Sequence, residues 1–233
     1  SSELHIYAGL TMSTLVDIEF DGSVIFEADN GSETFITCNK QFACNIKFAG
    51  LMNNWTITGA LNCNKSVQIA THFSSFSCES LDIEGNFTIS GNSLAISLNG
   101  DVEVTKDFYI LGTGASVTTL GALAFRNGYV YGGSLLLGNE MKASHELYFS
   151  SGAFTSNGHN ISFNSCIINE SCTVNLSNSD INITNKFTIT GAGSNITSTN
   201  TSLYFSGGSG LLLSAEPAVG FKVVNFSNSG TLN

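Results

Sequence analysis

"NKFTITGAGSNITSTNTSLYFSGG", residues 185–208, reads as three short strands separated by two turns, with Lys186 as its only charge. Aromatic and β-branched residues suit a pleated surface, whereas Gly, Asn and Ser tolerate the backbone of tight turns. The same idea appears earlier as "NWTITGALNCN", residues 54–64, and "GNFTISGNSLAISLNG", residues 85–100. The chain is built from small strands.

Working outward, period-two alternation dominates. "LVDIEFDGSVIFEA" puts Val16, Ile18 and Phe20 on one face and Asp17, Glu19 and Asp21 on the other. Leu81 and Ile83 alternate with Asp82 and Glu84, Val102 and Val104 follow Asp101, and Ile181 and Ile183 alternate with Asn. No segment sustains a capped apolar period of 3.6 residues. "LGNEMKASHELYF", residues 137–149, comes nearest, and its strand-like flanks make it a turn or an insertion.

The strands also repeat. "WTITG" (55–59), "FTISG" (87–91), "FYILG" (108–112) and "FTITG" (187–191) share an aromatic, β-formers and a closing Gly, at separations of 32, 21 and 79 residues. A period near 20–30 residues predicts an all-β fold, a parallel β-solenoid (β-helix) with irregular insertions. It predicts one domain over residues 1–233, with 1–32 as an N-terminal capping region. Phe would fill the interior, and Asn, Ser and Thr would form ladders at the corners. The alternative is an antiparallel β-sandwich. It draws on the hairpin signals "RNGY" (126–129) and "SNGHN" (156–160), which predict a hairpin insertion.

Composition bounds the function. Charged residues are only 11 % of the 233, against about a quarter in ordinary domains. Seventeen Phe and one Pro argue against disorder. The net charge is −10, with thirteen of the 18 acids before residue 108, and no cluster of Lys and Arg exists to neutralise phosphates, so nucleic acid is not an expected partner. No apolar run has the length of a membrane span, so membrane insertion is not expected. "SSELHIYAGL" lacks the features of a signal peptide, and the chain reads as a mature or excised segment of a longer secreted product.

In an extracellular setting, six cysteines predict disulfides. Cys38 with Cys44 and Cys166 with Cys172 are each six apart and would close small loops; Cys63 with Cys78 is the weaker pair. Zinc is not expected, because there is no Cys-x-x-Cys and the four His are scattered.

The succession "TCNKQFACNIKFAG", "NNWTITGALNCNKSVQI", "CESLDIEGNFTISGNSLAISLNG", "SNGHNISF" resembles the Asn-, Gly- and Thr-rich β-solenoid stretches of large secreted, adhesin-like cell-surface proteins of Bacteroidetes, over residues 33–210. The resemblance implies surface display and an adhesive or scaffolding role, with no shared catalytic residues. Partners would be copies of the chain meeting end to end, other surface proteins, or glycans. Eleven Asn-x-Ser/Thr sequons, at Asn30, Asn54, Asn64, Asn86, Asn160, Asn169, Asn175, Asn182, Asn195, Asn200 and Asn225, would make a eukaryotic chain a heavily glycosylated one.

Catalytic signatures are sparse. Asp82 with Glu84 and Asp101 with Glu103 have the spacing to flank a sugar, as glycoside hydrolysis requires, and equally the look of a solvated face. Arg126 is the only arginine, and its acidic neighbours in sequence are distant. No cofactor is expected. A structural calcium is the metal that "EFDGS" and "EADNGSE" would suit, through Asp21, Glu27 and Asp29 near Gly turns. For binding, exposed aromatics could stack on sugars: Trp55, Tyr109, Tyr129, Tyr131, Tyr148 and Tyr204. "NGYVYGG" is the best local site, because Tyr129 and Tyr131 share a strand face. Ice binding would need a regular Thr-x-Thr ladder, which Thr56, Thr58, Thr188 and Thr190 begin and Tyr109 interrupts.

Overall fold

In the computed structural model the described residues are 2–7, 10–11, 20–28, 33–37, 41–169, 171–190, 193–207, 211–215, 219–226 and 230–232. They form strands without a helix, joined in a parallel β-solenoid of about 10 turns. Each full coil contributes to three ladders, named here faces A, B and C.

Face A begins with Glu3–Ile6, Ser23–Glu27, Asn45–Ala49, Val67–Ile69 and Phe87–Ile89. It continues through the second halves of Val102–Ile110, Leu123–Val130, Met141–Phe149, Ile161–Ile168 and Asp180–Ile189. Face B includes Ala95–Leu98, Ser116–Thr119, Ser134–Leu137, Gly152–Thr155, Cys172–Asn175 and Asn195–Thr197. Asn54–Cys63 and Ser75–Ile83 start on face B and turn onto face C. Face C then runs through the first halves of the long strands to Ser202–Phe205 and Val223–Phe226. Where face C bends into face A the register slips, between Val104 and Asp107, Phe125 and Gly128, and Ala143 and Glu146.

Alternation explains the packing. In a strand every second side chain faces the same way, and stacking in register puts like positions of successive coils about 4.8 Å apart. Phe26, Phe48, Ile69, Ile89, Ile110, Val130, Phe149, Ile168 and Ile189 thus form one buried column of face A. Trp55, Phe76, Ile96, Val117, Leu135, Phe154 and Val174 form another under face B. Removing these columns from water is the dominant stabilising term, at about 25 cal/mol per Å² of apolar surface.

Polar ladders hold the outside of face A. Asn45 Oδ1 accepts from the Ser66 N–H, Ser66 Oγ from Asn86 N–H, Asn86 Oδ1 from Asp107 N–H, and Asn127 Oδ1 from Glu146 N–H. Corners repeat as well. Where face A turns into face B, Met52, Phe73, Ser93 and Gly114 take positive φ values of 60°, 52°, 51° and 71° on successive coils. Gly112 stacks so tightly there that a Cβ would lie 1.9 Å from the Gly91 carbonyl oxygen.

The strand pairings described are parallel, which sets aside the antiparallel sandwich. Neither hairpin signal makes a hairpin. Asn127 and Gly128 lie inside Leu123–Val130, where a Cβ on Gly128 would meet Phe125 Cε2 at 2.5 Å; the glycine makes room for a core ring. Asn157 and Gly158 form a corner with positive φ. The helix-like window is the strand Met141–Phe149. Described strands within residues 1–32 belong to the ladder: Glu3–Ile6 pairs with Ser23–Glu27, and that strand with Asn45–Ala49.

Candidate functional site

Face A carries the strongest concentration of chemistry. Tyr109, Tyr129 and Tyr148 are register partners on three consecutive coils, in an outward column between two buried ones. Tyr131 emerges two residues beyond Tyr129 on the same face and is 45 % exposed. The rings of Tyr109 and Tyr129 stack with centroids 5.1 Å apart and planes at 14°. Those of Tyr129 and Tyr131 lie 6.2 Å apart at 8°. Tyr148 leans in at 54° and 5.8 Å from Tyr131. Four phenol rings make one continuous platform.

A polar edge fixes this platform. Asp107 Oδ1 accepts from Arg126 Nη2 at 3.0 Å and Asn127 Nδ2 at 2.8 Å, and Asp107 Oδ2 accepts from the Tyr109 hydroxyl at 3.1 Å. Burial pushes the Asp107 carboxyl up, but the three donors outweigh it and hold the group below the usual carboxylate range. Burial, then the Asp107 carboxylate, pushes the Tyr109 hydroxyl up, so it stays a donor. On the far side Asn169 Nδ2 donates to the Tyr148 oxygen at 2.6 Å. Arg126 therefore has an acidic partner after all, one coil away.

Tyr129 and Tyr131 do share a face. Tyr109 and Tyr148 complete the surface, and their signal was the spacing 109, 129, 148, one coil per step. Trp55 is not an exposed aromatic: it is fully buried against Phe26 and Phe48. Tyr204 stands apart on face C.

The remaining candidates are dispersed. Asp21 pairs with Lys65 Nζ at 3.1 Å, Glu27 takes a hydrogen bond with His5 Nδ1 at 2.9 Å, and Asp29 lies outside the described residues. Among the described residues no three His, Cys, Asp or Glu side chains are grouped to hold a metal ion. Asp82 and Glu103 are register partners on adjacent coils of face C, with Glu84 and Asp101 beside them. All four are exposed on the outside of the coil.

The cysteines correct the disulfide expectation. Cys44, Cys63, Cys78, Cys166 and Cys172 are buried and form no disulfide with one another, and Cys38 lies outside the described residues. Cys166 points inward between Leu147 and Phe187, and Cys172 opens the next face B strand beside Gly152. Alternation, and not loop closure, placed them. Burial pushes the Cys166 thiol well up and that of Cys63 to about 11. The Thr ladder also divides: Thr56 and Thr58 belong to face B, Thr188 and Thr190 to face A, where Thr188 is buried.

Comparison with family models, with curated proteins and with solved structures finds no match.

Proposed function

We propose that this chain is a non-catalytic, adhesive segment of an extracellular surface or filament protein, and that its tyrosine platform is the contact surface for glycans. The observation that carries the reading is the stack of Tyr109, Tyr129 and Tyr131 on an open face, with near-parallel rings. A sugar ring presents an apolar face of C–H bonds rimmed by hydroxyls. The exposed edges of the ring stack, with Tyr131 outermost, cover the first, and donors and acceptors at the margin serve the second. Asp107, Asn127 and Asn169 stand at that margin. Their hydrogen bonds within the protein lock the rings before any ligand arrives, which lowers the ordering cost of binding.

The resemblance to secreted solenoid segments supports surface display. A parallel stack also offers its terminal strands to further strands, so copies of the chain meeting end to end are a natural partner. A glycan array followed by calorimetry tests the platform. Tyr129→Ala with Tyr131→Ala should weaken binding by at least tenfold, since one stacking residue removes about 1–3 kcal/mol. Undiminished affinity in that double variant refutes the proposal.

A carbohydrate-active reading draws on Asp82 and Glu103, whose backbones are one coil step, about 4.8 Å, apart. Polysaccharide cleavage by the wild type that disappears in Asp82→Ala or Glu103→Ala would favour it over the adhesive one.

A further inference from the structure

Beside the platform, at the bend from face C into face A, lies a groove of about 290 Å³ lined by Glu103, Thr105, Ala124, Arg126, Lys142 and Ser144, over the strand segments of Val104 and Phe125, whose side chains turn into the core. The groove has a simple cause. Glu103, Ala124 and Lys142 occupy the same outward position on three consecutive coils. The middle residue has only a methyl group, so a gap opens between Glu103 and Lys142, whose backbones lie two coil steps, about 9.6 Å, apart. Arg126, which sits in the bend where the register slips, lines the same space.

We propose that this groove is a subsite for a carboxylate-bearing sugar ring, so that the glycan held by the platform is an acidic one. The proposal rests on the platform reading and names its substrate class. The volume matches a single ring, at the small end of ligand pockets. The Ala124 methyl and the alkyl stem of Lys142, with the hydroxyls of Thr105 and Ser144 at the sides, fit the face and rim of a pyranose. Lys142 has no ion-pair partner among the described residues. Arg126 uses Nη2 toward Asp107, and a guanidinium carries five donors. Together they present two cationic groups to one carboxylate, while Glu103 across the gap accepts from ring hydroxyls. Arg126 is also the link to the platform, because the Asp107 it holds takes the Tyr109 hydroxyl. One ring in the groove and its neighbour on the tyrosines would engage both at once. The net charge of −10 opposes a dense polyanion, which favours a chain whose carboxylates alternate with neutral rings.

The test uses the whole chain and two probes: an oligosaccharide alternating glucuronic acid with a neutral sugar, and the same oligosaccharide with its carboxyls reduced to alcohols. The wild type should bind the acidic probe about tenfold more tightly, the weight of one charge-assisted hydrogen bond. The preference should shrink with added salt. Lys142→Gln should abolish the preference by weakening the acidic probe far more than the reduced one, and Ala124→Leu, which fills the gap without changing charge, should abolish the preference and weaken the reduced probe as well. The pair Tyr129→Ala and Tyr131→Ala should weaken both probes alike. Equal affinity of the wild type for both probes overturns the subsite and leaves the platform standing. Indifference to the tyrosine changes, with the preference still lost in Lys142→Gln, overturns the platform and keeps the subsite. Failure to bind either probe overturns both.

Discussion

Replacing Asp107 with Asn tests whether the platform's edge is built as described. The wild-type carboxylate receives three donors, from Arg126, Asn127 and Tyr109, at 2.8–3.1 Å. Arg126 is half-exposed, so its ion pair contributes about 0–1 kcal/mol. The bonds from Asn127 and Tyr109 end on a charged, mostly covered acceptor and fall near the low end of its range, about 1.5 kcal/mol each. Asparagine keeps one acceptor oxygen, so Asp107→Asn should lose about 2–3 kcal/mol of the total. For a chain of this size that lowers Tm by about 4–12 °C. The sign with pH follows from the depressed carboxyl. The folded protein holds that proton less tightly than the unfolded chain, whose Asp titrates near about 3.9. The wild type's advantage is therefore complete above about pH 5, and it fades as pH falls through the lower folded value. Calorimetric melts of both proteins at pH 7, 5, 4 and 3 should show a constant gap that closes in acid. A gap under about 1 kcal/mol at pH 7 would refute the claim that these bonds hold the site. A gap that persists undiminished at pH 3 would refute the assignment to an ionised Asp107.

Phe108, buried between Phe87 and Phe125 at 5.5 Å from each ring, should cost about 3–5 kcal/mol when truncated to Ala in denaturant titrations, and a loss under half that would contradict a tightly filled interior. Phe73→Gly should raise Tm slightly: the residue sits at φ 52° with its ring exposed, and relief of a left-handed strain of about 1–2 kcal/mol exceeds the added chain freedom of about 0.5–1 kcal/mol. A lower Tm would show that the exposed ring has a partner in the fold. In native protein at pH 7, no more than one thiol (Cys38) should react rapidly with a thiol reagent, and the other five only after unfolding; fast labelling of two or more would contradict their burial.

The fold was readable because the alternation is strict where it matters. Val102 and Val104, Ile181 and Ile183, and Leu81 and Ile83 all point inward, as their spacing implies. Phe87 and Phe108 are 21 residues apart because one coil separates them, and they are register partners. Trp55, 32 residues before Phe87, shares their motif yet lies on face B. A motif records the strand type, and only the register records the face.

The site was half legible for the same reason. Tyr129 and Tyr131 are neighbours in sequence, so one strand's pleat joins them. Tyr109 and Tyr148 sit in different local contexts, and only a known coil length brings them together. Arg126 and Asp107 meet across 19 residues, a distance that means nothing until the coil is drawn. Asn127-Gly128 misled because hairpins and crowded interiors both select glycine, one for backbone torsion and the other for the space a Phe125 ring takes. Cys166 and Cys172 misled because equal spacing invites a covalent loop, while inward-facing positions of adjoining strands also select small apolar side chains.

The parallel ladders have a mechanical consequence. Their hydrogen bonds lie along the solenoid axis, so tension applied end to end would load the rungs in series and peel coils away singly. A tug across the axis would shear whole strands and strain many bonds together. A tether gripping the tyrosines from the side would pull in the direction that resists rupture best.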